Sequence, residues 1–140
     1  MMAIDSTMIK RKSEHMLNEI EHLKEFKGIT FEIFKDSWRN IRIVERSLQI
    51  IAQAVLDIAG HIIANKGWGT PTTYRETVMV LVRNEIIEDS LGNRLADLIG
   101  MRNILVHEYL AIDVSILHAA ITQVIQDGPV FVQQILSIIP

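Results

Sequence analysis

Cysteine is absent from these 140 residues, so no disulfide can form and no thiolate can hold a metal or act as a nucleophile. The chain has only 3 prolines and 7 glycines, so few positions force a turn. Its β-branched runs are interrupted at helical spacing, which argues against a sheet. Aromatic residues make up 6% of a chain that is 49% apolar, so the core must be built from aliphatic side chains. No long apolar run is unbroken: the strongest, Ile50 to Ala64, carries Gln53, Asp57 and His61 four apart on one helical face. That pattern is an amphipathic helix and not a membrane span. The N-terminus has no basic segment followed by an apolar core, so no signal peptide is expected and the expected compartment is the cytoplasm. A net charge of −3 removes bulk attraction to nucleic acid, and no Lys or Arg follows Arg102. Any phosphate-binding surface must then be local, built from Arg39, Arg42 and Arg46 together with Arg102.

The length suits one core, hence a single domain over 1–140. The fold class expected is all-α, an up-and-down bundle of four main helices with an additional short helix. A first helix from about Ser6 to Lys27 has Asp5 or Ser6 as its N-cap and ends at Gly28. Thr30 to Lys35 reads as a turn that docks Phe31 and Phe34. A long helix from about Ser37 to Lys66 buries Ile41, Val44, Leu48, Ile51, Val55, Ile58 and Ile62, and the run Gly67 to Pro71 breaks it. Thr72 or Thr73 caps a helix to about Asn84, with Glu76 placed for a capping box. A helix from Ser90 to about Tyr109 follows, then a long one capped by Asp113, and Gly128-Pro129 is expected to split off a terminal turn.

Chemistry concentrates in Arg102-Asn103-Ile104-Leu105-Val106-His107-Glu108-Tyr109. An arginine cannot shed its charge, and burying one unpaired costs several kcal/mol. At about 100° per residue, Leu91, Leu95, Leu98, Leu105 and Tyr109 form one stripe containing Arg102. Gly100, Asn103 and His107 form another on nearly the opposite side. Gly100 would let a second helix approach closely, as at a symmetric dimer seam. Arg102 and His107 lie about 140° apart around a straight helix. They can share a site only if the arginine snorkels round the helix or a second subunit supplies one of them.

Arginine, four residues, then H-x-Y resembles the motif of the HEPN superfamily, in its HepT-like branch. The likeness extends to Glu45-Arg46-Ser47-Leu48-Gln49, Asp57-Ile58-Ala59-Gly60-His61, Thr73-Tyr74-Arg75-Glu76 and Ile112-Asp113, and spans about Trp38 to Leu136. The resemblance implies a ribonuclease toxin held in check by a nucleotidyltransferase antitoxin, with a composite cleft across a homodimer. It implies catalytic roles for Arg102 and His107 and transfer of AMP to Tyr109. In that chemistry neutral His107 takes a proton from a ribose 2′-hydroxyl. Arg102 holds the growing negative charge on the phosphate, and Asn103 positions the imidazole or the phosphate. No metal and no cofactor is called for.

Each residue also has a plain reading. Arg102 could be structural, paired with Glu45 or Asp57; His107 could only complement a helix dipole; Tyr109 could be a core ring. His15, His22 and His118 read as solvated, and Asp57 with His61 as a hydrogen-bonded pair and not two ligands of a metal. The alternative to the enzyme is a non-catalytic helical dimer that binds nucleotide or a nucleotidyltransferase partner.

Overall fold

The computed structural model describes residues 4–107 and 113–140, and over these residues the regular structure is helical throughout. Its elements are α1 (Ser6–Leu23), a 3-10 turn (Lys24–Phe26), α2 (Phe31–Lys35), α3 (Trp38–Lys66), α4 (Tyr74–Arg83), α5 (Asp89–His107) and α6 (Val114–Leu136). Helix α3 is the axis of the bundle, packed against α1, α4, α5 and α6.

Local chemistry explains where most of these helices start. Asp5, Ser37 and Thr73 accept the backbone N–H of Met8, Asn40 and Glu76 at 3.0, 3.2 and 3.0 Å, satisfying donors that have no partner inside the helix. Asp113 does the same for Ser115 at the head of α6. Helix α3 ends where Gly67 takes a left-handed φ of 67°. The Trp68 N–H then folds back onto the Ile63 carbonyl at 3.1 Å, a closure that favours glycine because it has no Cβ. Glu76 does not return its side chain to the cap; it accepts from Arg83 instead.

The expected stripe of α3 is buried from Val44 to Ile62, with Ile41 half-covered at its start. By length and composition α3 could cross a membrane, yet 56% of its most apolar window is buried inside the bundle. Its apolarity is accounted for by the core it organises. The first helix stops at Leu23, short of the expected Lys27, and tightens into the 3-10 turn ahead of Gly28. Phe34 docks fully in the core, as expected, from a short helix and not a bare turn.

Proline 129 does not split α6. The helix runs unbroken through it to Leu136. Losing one hydrogen bond and accommodating the ring costs about 3 kcal/mol. Continuing the helix buries Phe131, Val132 and Ile135, each worth roughly 1.5–3 kcal/mol. Burial therefore wins. Gly128 contributes by lying so close to α1 that a Cβ there would sit 2.3 Å from Ile20 Cδ1.

Candidate functional site

Helix α5 carries the motif. Its inner face, Leu91, Leu95, Leu98, Ile99 and Met101, is buried against the bundle, and this fixes the rotation at which Arg102 leaves the helix. Arg102 is half-buried and turns toward α3. One guanidinium nitrogen donates to Gln53 Oε1 at 2.5 Å, and another donates to Asn103 Oδ1 at 2.8 Å. Gln53 in turn donates to Asp57 Oδ1 at 2.8 Å, and Lys12 of α1 donates to Asp57 Oδ2 at 3.1 Å.

The plain reading, Arg102 paired with Glu45 or Asp57, is therefore replaced by something chemically different. Its contacts are two uncharged amide oxygens. Asp57 is engaged one step removed and is already neutralised by Lys12. Among the described residues no carboxylate lies within ion-pair distance of Arg102. A half-buried guanidinium oriented by neutral acceptors keeps its positive charge available for an anion.

Arg102 stands at the wall of a recess of about 490 Å3, where it is joined by Lys12, His15, Arg46, Gln53 and Asp57. Three permanent cations and one histidine face a single carboxylate there, so the recess is locally positive in a chain whose net charge is −3. Of the three arginines that the sequence grouped with Arg102, Arg46 lines the recess, and Arg39 and Arg42 do not. Lys12, His15 and Gln53 were not singled out for this site, although Gln53 did mark the polar face of the long helix.

Asn103 is brought into the site, as the acceptor that holds one side of Arg102. His107 closes α5, five residues and about 7.5 Å along the axis from Arg102. The His107 side chain, and Tyr109 altogether, lie outside the described residues. Gly100 faces inward within its own chain: a Cβ there would lie 2.9 Å from the Tyr74 hydroxyl oxygen. Its missing side chain thus serves the packing of α4 on α5.

Two further expectations are corrected. Asp57 and His61 do not pair with each other. Asp57 is held by Lys12 and Gln53, while His61 Nε2 accepts the Asp5 N–H at 3.0 Å and faces the Asn65 amide. Each finds its partners elsewhere, Asp57 one turn back on α3 and on α1, His61 one turn ahead on α3 and at the Asp5 cap of α1. His118 is not solvated: its Nε2–H donates to the Ile29 carbonyl at 2.7 Å, and its ring packs between Phe31 and Phe34. Among the described residues no three His, Asp or Glu side chains converge as a metal site. A two-pronged ion pair to a buried carboxylate lies elsewhere. Asp127, almost fully buried, accepts both Nε and Nη2 of Arg94 at 2.9 and 3.1 Å, and this bonding raises the Arg94 pKa further above its ordinary value.

The family model described as "Ribonuclease HepT-like" matches residues 16–135. A "tRNA nuclease HepT" of Aphanizomenon flos-aquae is 34% identical over 134 residues, covering 96% of this chain and 91% of that protein. An "mRNA nuclease HepT" of Shewanella oneidensis is 30% identical over 89 residues, covering 64% of this chain and 67% of that one. Among solved structures, a tri-AMPylated Shewanella oneidensis HEPN toxin in complex with MNT antitoxin superposes with a TM-score of 0.84 at 26% identity, covering 92% of this chain and 96% of that one. A cytosolic protein of unknown function from Bacillus subtilis has the same TM-score, 0.84, at 20% identity, and so shares the fold. With a family model matching most of its length and a relative aligned almost end to end, the chain belongs to the HepT-like ribonuclease family.

Proposed function

We propose that this protein is the cytoplasmic ribonuclease toxin of a toxin–antitoxin pair and that it cleaves RNA without a metal, using Arg102 and His107. The observation that carries the proposal is the state of Arg102, a guanidinium aimed into a cationic recess and held by Gln53 and Asn103, with no carboxylate among the described residues to quench it. A structural arginine in an aliphatic stripe gains most from an acid; this one has amides, which orient it and leave its charge free.

In the reaction, His107 removes the proton from a ribose 2′-hydroxyl, and the 2′-oxygen forms a bond to the adjacent phosphorus as the bond to the 5′-oxygen breaks. The products are a 2′,3′-cyclic phosphate and a 5′-hydroxyl, the latter receiving a proton from His107 or from water. Arg102 donates paired N–H groups to the non-bridging oxygens as their charge grows. Dependence on the 2′-hydroxyl makes the enzyme specific for RNA over DNA. A homodimer, in which Arg102 and His107 of different subunits complete one cleft, overcomes their angular separation on α5. The partner is a nucleotidyltransferase antitoxin that transfers AMP to Tyr109. A phosphodiester-linked nucleotide two residues beyond His107 adds bulk and negative charge beside the clamp and competes with RNA.

The test is cleavage of total RNA by the purified chain freed of any partner, with Arg102→Ala and His107→Ala alongside. Each variant is expected to lose roughly 10²–10⁴-fold in rate while keeping its helical circular dichroism melt. Folded variants that cleave as wild type does would overturn the assignment.

A further inference from the structure

The outer face of α3 carries an indole, two guanidinium groups and two amides in a line. Trp38, Arg42, Arg46, Gln49 and Gln53 are spaced four, four, three and four apart, which on a helix keeps them within about 80° of arc. The line ends on Arg102, because Gln53 is the residue that holds the guanidinium. Its other end is an indole that the fold leaves 72% exposed. Resting on the ribonuclease reading of the Arg102 site, we infer that this face is a track for single-stranded RNA, leading the strand flanking the scissile phosphate from Arg102 out to Trp38.

Four observations favour this occupant. First, a tryptophan buries more apolar surface than almost any other side chain when it can, yet Trp38 stands open at the head of α3, whose opposite face is largely buried. An exposed indole next to guanidinium groups is the combination that sequence-tolerant single-strand binding uses, rings for bases and cations for phosphates. Second, the charges point outward. The Arg42 side chain is 74% exposed; Glu45, which it touches at 3.4 Å, and Glu19 are only 17% and 15% exposed, and Asp57, bonded to Gln53 at the inner end, is paired with Lys12. Glu19 is further occupied by the Ser47 hydroxyl at 2.8 Å. Third, α1 doubles the rail at its inner end, placing Lys12 and His15 in the same recess as Arg46 and Arg102. Fourth, the span is right. From Trp38 to Gln53 is about 22 Å of helix, room for roughly four nucleotides, the lower end of single-strand site sizes. A net acidic chain cannot hold RNA by its overall field, so its affinity has to come from such a local device.

The track is tested on the full chain with an uncleavable probe, a fluorescein-labelled and fully 2′-O-methylated oligouridylate of about twelve nucleotides. Binding is read by anisotropy across a salt series. Trp38→Ala is expected to weaken binding about 5-fold or more. The double variant Arg42→Gln with Arg46→Gln should weaken it as well and flatten the slope of log K against log salt by about 1.4, roughly 0.7 for each phosphate no longer neutralised. In a Trp68→Phe background, where Trp38 is the only indole, the probe should quench the remaining fluorescence. Trp38, Arg42 and Arg46 are at the surface, so their substitutions should not move thermal melts; Trp68 packs partly against the core, so the Trp68→Phe chain is the reference for the quenching measurement. Wild-type affinity and slope in every variant would overturn the track, as would quenching of Trp38 by the antitoxin but not by the probe. Because the probe cannot be cleaved, the two ideas fail separately. An inactive wild type whose Trp38 still responds would refute the catalytic reading alone. An active wild type indifferent to these substitutions would refute the track alone.

Discussion

Replacing Gln53 by glutamate changes one atom pair and asks whether Arg102 works because its holder is neutral. In the wild type the guanidinium rests on an amide oxygen 2.5 Å away. A carboxylate in that place puts opposite unit charges at contact, an attraction of about 4 kcal/mol at an effective dielectric near 20 and a 4 Å separation. Arg102 is only half-buried, so solvent screening reduces this to roughly 1–2 kcal/mol. That attraction must be given up when the arginine turns to a phosphate. The expected result is a fall in kcat of about 5- to 30-fold. Gln53→Leu, which removes the hydrogen bond without adding charge, should fall less. Overall stability should change little in the glutamate variant, since the gain at Arg102 is opposed by a second carboxylate beside Asp57. The assay is single-turnover cleavage of a fluorogenic RNA at saturating enzyme, with melts as the control for folding. Gln53→Glu cleaving within about twofold of wild type, while Arg102→Ala is inactive, would refute the claim that a neutral holder keeps the clamp available.

Tyr109→Phe, which keeps the ring and removes the hydroxyl, is expected to cleave RNA and to escape inhibition by the antitoxin with ATP; intact-mass spectrometry should show added AMP on wild type and none on the variant. Gly128→Ala drives a Cβ against Ile20 Cδ1 and should destabilise the fold by about 1 kcal/mol, overpacking of roughly 1–3 being offset by up to about 1 from helix propensity. Adding Ile20→Val removes the clashing methyl, and denaturant titration should show a smaller loss than the two single effects summed. Hydrogen bonds from the Ser115 hydroxyl and N–H hold the Asp113 carboxyl below its ordinary range, so its capping contribution is present above the unfolded pKa and is lost as pH falls through the folded one; the Tm gap between wild type and Asp113→Ala should close over that acidic window.

Local periodicity and caps made most of the fold legible. The α3 stripe, the caps at Asp5, Thr73 and Asp113, and the stop at Gly67 all depend on residues within a few positions of one another. The continuous α6 was not legible, because Pro129 is a local signal and the burial that outweighs it depends on α1 and α3 being in place. The site divides in the same way. The motif and the basic group at Arg46 stood out along the chain. The identity of Arg102's holder did not, because Gln53 is 49 positions away and Lys12 reaches Asp57 across 45. His118 misled for a related reason: its spacing on α6 marks an amphipathic helix, while its partner, the Ile29 carbonyl, lies 89 positions away.

The proposed roles of Arg102 and His107 require that RNA be cleaved through its own 2′-hydroxyl. Mass spectrometry of the fragments tests it most directly, with the antitoxin-free chain acting on one RNA sequence made in two forms, ordinary and 2′-O-methylated. The expected result is 2′,3′-cyclic phosphate ends from the ordinary RNA, no fragments from the methylated form, and no cyclic ends from Arg102→Ala or His107→Ala. Fragments from the methylated RNA, or cyclic ends that persist in both folded variants, would contradict it.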